Sequence, residues 1–161
     1  MKRLSLVTVL LASLFAVLPL NAEFFSQRYD FAAEKWIRLG TSVGDIELMD
    51  VQFELPAYVG PRKLNIKGRD QATVNLKNYG KVRTRVQVAI ALFDADGNLV
   101  ACGTTGTKIA GTKPGGTESF YVNFDYVNAR IGTAKTFYLT VETEPDTPEV
   151  SSESKTAKAS G

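Results

Sequence analysis

From Val82 to Phe93 the side chains alternate in character with a period of two. Val82, Thr84, Val86, Val88, Ile90 and Leu92 fall on one side, and Arg83, Arg85, Gln87, Ala89, Ala91 and Phe93 on the other. Two is the repeat of an extended strand; a helix with 3.6 residues per turn would scatter the same residues around its circumference. The first set reads as a core stripe. The second begins polar and turns apolar, which predicts that the far end of this strand is covered on both faces.

The same period recurs along the chain. Ile46 to Leu55 alternates with a change of phase, since Ile46 and Leu48 share one parity while Val51, Phe53 and Leu55 share the other. A phase change inside one strand predicts a bulge or twist near Met49. Pro56 and Gly60-Pro61 end that strand, and Leu64-Asn65-Ile66 reads as a short one. Thr73 to Asn78 places Val74 and Leu76 on one face before an Asn78-Tyr79-Gly80 turn. Asp94-Ala95-Asp96-Gly97-Asn98 followed by Leu99 to Cys102 is a hairpin signal. Pro114-Gly115-Gly116 is a second turn, followed by the stripe Phe120, Val122, Phe124, Tyr126; Thr136 to Thr143 closes the series with Phe137, Leu139 and Val141 inward. About seven strands with frequent turns and no long helix predict an all-β fold, an antiparallel immunoglobulin-like sandwich over residues 46–143. The apolar stripes are large enough that no metal or covalent staple is required.

Residues 23–45 read as an N-terminal extension. Asp30 to Leu39 fits a helix capped by Asp30 and stopped by Gly40, while Lys35 to Thr41 fits a strand with Ile37 and Leu39 on one face. The strand agrees better with an all-β chain, and Trp36 would then anchor a core or a sheet edge. Residues 144–161, EPDTPEVSSESKTAKASG, offer one aliphatic side chain, too little apolar surface to offset ordering entropy, so a disordered tail is expected.

Residues 1–22 have the pattern of a secretory signal: Lys2 and Arg3, then an apolar run from Leu4 to Leu18, Pro19, and the small Ala22. The run is short for a span of about 20 residues, which favours cleavage over anchoring and predicts a periplasmic or extracellular protein with no membrane attachment afterwards. Without Lys2 and Arg3, 17 of the 19 basic residues remain against 17 acidic ones, so basicity gives no reason to expect a nucleic-acid partner. Cys102 is the single cysteine and has no partner within the chain. It is expected to be a small buried hydrophobe, with pairing between chains or a reactive thiol as the alternatives.

The chain has no histidine, which excludes histidine triads, dyads and zinc ligation. The segment Asp94 to Asn98 offers too few oxygens for the 6–8 that calcium takes and is sufficiently explained as a turn. Gly103 to Gly116 lacks the phosphate-loop pattern and reads as a flexible connection. No cofactor is implied. A glycosidase-like pair of carboxylates cannot be assembled from the spacing, so a carboxylate-based hydrolase is the least supported reading. The outward side chains Arg83, Arg85 and Gln87, Tyr121, Asn123 and Asp125, and Tyr138, Thr140 and Glu142 would form one mixed patch if their strands were neighbours. Tyrosine and arginine are enriched at interface hot spots, although alternation alone puts polar groups outside.

Val74-Asn75-Leu76-Lys77-Asn78, RVQVAIALFDADGNLV and KPGGTESFYVNF resemble small exported bacterial immunoglobulin-like modules of the FxLYD type, with Phe93-Asp94 in place of their Tyr-Asp. The resemblance spans about residues 73–124 and rests on turn and core positions. It implies an accessory or protein-interaction role and no active site. The alternative is an assembly subunit that self-associates through an edge strand, with Glu23-Phe24-Phe25 adding to a neighbour's sheet.

Overall fold

The computed structural model describes residues 22–55, 70–108, 110–124 and 130–146. Eight strands occur among them: β1 Glu23–Asp30, β2 Trp36–Val43, β3 Ile46–Glu54, β4 Gln71–Asn78, β5 Thr84–Phe93, β6 Leu99–Gly106, β7 Thr117–Asn123 and β8 Thr136–Pro145. Among the described residues a 3-10 turn, Ile131–Thr133, precedes β8. The strands form two antiparallel four-stranded sheets, in the orders β1-β8-β5-β6 and β2-β3-β4-β7. Their inner faces meet in one core, as the period-two stripes predict.

That core contains Val86, Val88, Ile90 and Leu92 of β5 and Phe137, Leu139 and Val141 of β8, opposite Val51, Phe53, Val74, Leu76 and Val122 of the other sheet. Phe53 lies at its centre, with ring centroids of Phe31 at 4.8 Å, Phe137 at 4.9 Å and Phe124 at 6.3 Å. The phase change in β3 is a bulge at Met49, where the pairing with β4 shifts between Leu48 and Asp50. The extra residue lets Ile46 and Leu48 face the same interior as Val51 and Phe53.

Several sequence expectations are corrected. Residues 23–45 are not an extension: β1 pairs with β8 along its whole length, and β2 forms the outer edge of the second sheet. Glu23-Phe24-Phe25 therefore adds to the chain's own sheet. The sandwich also runs past residue 143. β8 continues to Pro145 because Thr143 is buried opposite Val86, and Asp146 is held by Arg85 at 2.9 Å. Val82 is half exposed in the bend before β5 and not part of its stripe. Cys102 is exposed. Its neighbour Val100 is the extra residue of a bulge between β5 and β6, which turns Ala101 inward opposite Leu92 and Cys102 outward opposite Ala91. The short strand at Leu64 to Ile66, Asp125, Tyr126, and the segments 1–21 and 147–161 lie outside the described residues.

The strand order has its own character. A constant-type immunoglobulin sandwich carries its first, second, fifth and fourth strands in one sheet and its third, sixth and seventh in the other. Here the first strand pairs with the last, and the chain crosses between sheets after β1, β4, β6 and β7.

Two of those crossings are tied together by Asn78, a fully buried residue at the end of β4. Its amide nitrogen donates to the carbonyls of Val82 at 2.9 Å and Thr112 at 2.8 Å, while its Oδ1 accepts from Gly80 N–H at 2.7 Å. Thr84 and Thr112 exchange backbone bonds of 3.1 and 2.8 Å beside it. The segment after β6 is thus pinned at Thr112, where the sequence suggests a flexible connection. Pro114-Gly115-Gly116 forms the expected turn, with Gly116 N–H on the Lys113 carbonyl at 2.9 Å.

Candidate functional site

The outer face of the first sheet is low in relief because its middle is built from small side chains. Cross-strand register places Ser26, Thr140, Ala89 and Thr104 in one row, and Arg28, Tyr138, Ala91 and Cys102 in the next. Two adjoining depressions lie over these rows. One of about 350 Å³ is floored by Ala89 and Ala91 and bordered by Tyr138 and Cys102; the other, of about 310 Å³, extends it towards Phe24, Gln87 and Glu142. Tyr138 is held upright by an edge-on contact with Phe93, 5.6 Å between centroids. Phe24 is 70% exposed. The apolar end of the second stripe of β5, for which the sequence predicts cover, is only half buried at Ala89, Ala91 and Phe93.

The predicted mixed patch is divided. Gln87, Tyr138, Thr140 and Glu142 do share this face, because β5 and β8 are neighbours. Arg85 stands at its end, in an ion pair with Asp146. Arg83 lies before β5 and donates to the Gly111 carbonyl at 3.3 Å. Both arginines therefore tie down the end of the sandwich. Tyr121 and Asn123 belong to β7, which pairs with β4 in the other sheet. Asp125 lies outside the described residues.

On the outer face of the second sheet, register assembles three rows invisible in any single strand. The central one reads Trp36, Gln52, Thr73, Tyr121. One neighbour reads Arg38, Asp50, Asn75, Ser119, and the other Glu54, Gln71, Asn123. Asn75 Nδ2 donates to Asp50 at 2.8 Å, Ser119 Oγ donates to Asn75 Oδ1 at 2.6 Å, and Gln71 Nε2 donates to Glu54 at 3.1 Å. Tyr121 also stands on the lip of a cleft of about 740 Å³ where the edges of β6 and β7 diverge, lined by Thr105, Thr107, Glu118 and Ser119.

Two carboxylates are held below the ordinary aspartate range. Asp94 accepts from Asn98 N–H at 2.9 Å, from Asp96 N–H and from the Asn98 amide, and Arg130 pairs with it at 3.3 Å. Asp146 accepts from Gly111 N–H at 3.1 Å and from Arg85. These are turn and end clamps: the Asp94 carboxylate is filled by its own loop, as the turn reading of 94–98 predicts. Burial raises the Tyr29 phenol, whose hydroxyl has no hydrogen-bond partner among the described residues. Among the described residues, no group of three or more Cys, Asp and Glu is placed to hold a metal ion, and no helix is long and apolar enough to cross a membrane.

The chain matches no known protein family and no curated protein.

Proposed function

We propose that the chain is an exported, non-enzymatic interaction module whose protein partner docks on the outer face of the first sheet. The observation that supports this reading most is the Ala89–Ala91 floor: an apolar strip on a strand face, half exposed, flanked by the exposed rings of Phe24 and Tyr138. A strand that places alanines where alternation calls for polar groups is suited to close approach by another surface. Phe24 and Tyr138 supply aromatic anchors at the rim, and Gln87, Thr140 and Glu142 supply directional hydrogen bonding. The pattern of residues 1–22 supports delivery outside the cytoplasm, and the FxLYD-like features at 73–124 agree with an accessory role.

The unique, exposed Cys102 lies in the trough and makes the test direct. The chain is labelled there with a maleimide photocrosslinker and irradiated in extract of the native source. A discrete adduct, suppressed by excess unlabelled protein and abolished by Ala91→Arg, is the expected result. An adduct with a second copy of the chain would favour the self-association reading. Labelling that is diffuse, or indifferent to Ala91→Arg, would remove this face from consideration.

A further inference from the structure

We infer that the outer face of the second sheet binds an uncharged, unbranched oligosaccharide, with Trp36 and Tyr121 as stacking platforms and the polar rows beside them reading hydroxyl groups. The argument begins with exposure. Trp36 is 51% exposed and Tyr121 54% exposed, although both are large rings on a sheet face. They occupy the two edge strands of one row, with Gln52 and Thr73 between them. Three interstrand spacings separate their backbones, about 14 Å. One sugar ring cannot touch both, whereas a chain laid across the strands can.

The chemistry fits a polyhydroxyl ligand. The face of an aromatic ring carries negative potential, which attracts the polarised C–H groups on the flat side of a pyranose. Hydroxyls need both donors and acceptors at fixed positions, and planar amides and carboxylates supply them. Asp50, Asn75 and Ser119 on one side, and Glu54 and Gln71 on the other, are already fixed by bonds to one another. Such mutual bonding holds them in place before a ligand arrives. Among the described residues no hydrogen bond engages the side chains of Gln52, Arg38 or Asn123, so donors and acceptors remain open.

Charge narrows the ligand class. The three rows carry one cation, Arg38, directly opposite Asp50, and a second carboxylate in Glu54. This balance repels sulfated or uronic-acid chains and leaves neutral ones. The site lies on the sheet opposite the proposed docking face, so the two readings fail independently.

Trp36 is the only tryptophan, so its fluorescence reports on this face alone. The full chain is titrated with cellohexaose, xylohexaose and maltohexaose, with glucose and a heparin hexasaccharide as comparisons. A saturable change with at least one neutral hexasaccharide is expected, with glucose far weaker. Tyr121→Ala should weaken binding about tenfold or more, and Tyr121→Phe, which keeps the ring, should retain it. Calorimetry should find no binding to Trp36→Ala. Unchanged far-ultraviolet circular dichroism and melting separate loss of the site from loss of the fold. Silence towards all three neutral hexasaccharides, preference for heparin, or full affinity in Tyr121→Ala would overturn the inference. A Trp36 response to a protein partner but to no saccharide would also overturn it and assign this face to protein docking.

Discussion

Asn78→Ala should be among the most damaging single-atom-group changes in the molecule. The substitution removes one amide, and three backbone groups each lose a bond: the carbonyls of Val82 and Thr112 and the N–H of Gly80. The partners that remain to each decide the magnitude. Thr112 is 3% exposed, but its carbonyl keeps the bond from Thr84 N–H at 3.1 Å, so it loses a second bond of about 1 kcal/mol without being left unpaired. Val82 and Gly80 border solvent, and each loses a net bond of about 1 kcal/mol. The sum is about 3 kcal/mol, a large share of the roughly 5–15 kcal/mol typical of such domains. Urea unfolding followed by circular dichroism reads this directly: with a slope of about 2 kcal/mol per molar, the midpoint should fall by about 1.5 M. Asn78→Asp supplies the control. It keeps the acceptor for Gly80 but turns a carboxylate towards two carbonyl oxygens, so it should be no better tolerated than alanine. A loss below about 1 kcal/mol in Asn78→Ala, or an aspartate variant close to wild type, would refute the view that this amide ties the two crossings together.

Three further outcomes follow from the geometry. Cys102 should react with a thiol reagent to completion in the native protein; reaction only after unfolding would contradict its placement on the outer face of β6. Gly103→Ala should destabilise the chain by about 1–3 kcal/mol, because an added Cβ meets the backbone carbonyl of Asn123 where β6 and β7 come closest, whereas an unchanged melting temperature would mean that the edges have room. Asp94 and Asp146 have folded pKa values below the ordinary aspartate value, so their contribution is present above about pH 4 and is lost as pH falls through the lowered folded values. Asp146→Asn should therefore flatten the acid side of the stability profile, and an unaltered acid limb would show that the Gly111 and Arg85 bonds add nothing.

How much of this was legible in the sequence depended on whether a feature lives within one strand or between strands. β5 and β8 declare themselves because each buries one full parity, and the bulge at Met49 is visible as a break of phase in β3. β1 hides because Phe24 and Phe25 are adjacent and Gln27 stands opposite Leu139 on the inner face, so no stripe appears. The exposure of Cys102 is hidden for a related reason: the bulge at Val100 shifts the phase of β6, and nothing in Leu99 to Cys102 announces it. The candidate faces were less legible still. Tyr121 reads as outward, but which strand lies beside β7 is a matter of chain crossings, so alternation alone does not separate the two faces. Trp36 and Tyr121 are 85 positions apart and meet in one row only through three successive pairings.

Both faces stand or fall with register, since a slip of one residue turns every side chain of a strand to the other side. The most direct test is a nuclear Overhauser spectrum of the isotopically labelled chain, read for cross-strand backbone contacts. The account predicts contacts joining β1 to β8 at Phe25–Val141 and Gln27–Leu139, and a continuous row through Trp36, Gln52, Thr73 and Tyr121. Contacts that instead pair β1 with β2 as a hairpin, or set Tyr121 opposite Ala72 or Val74, would contradict it.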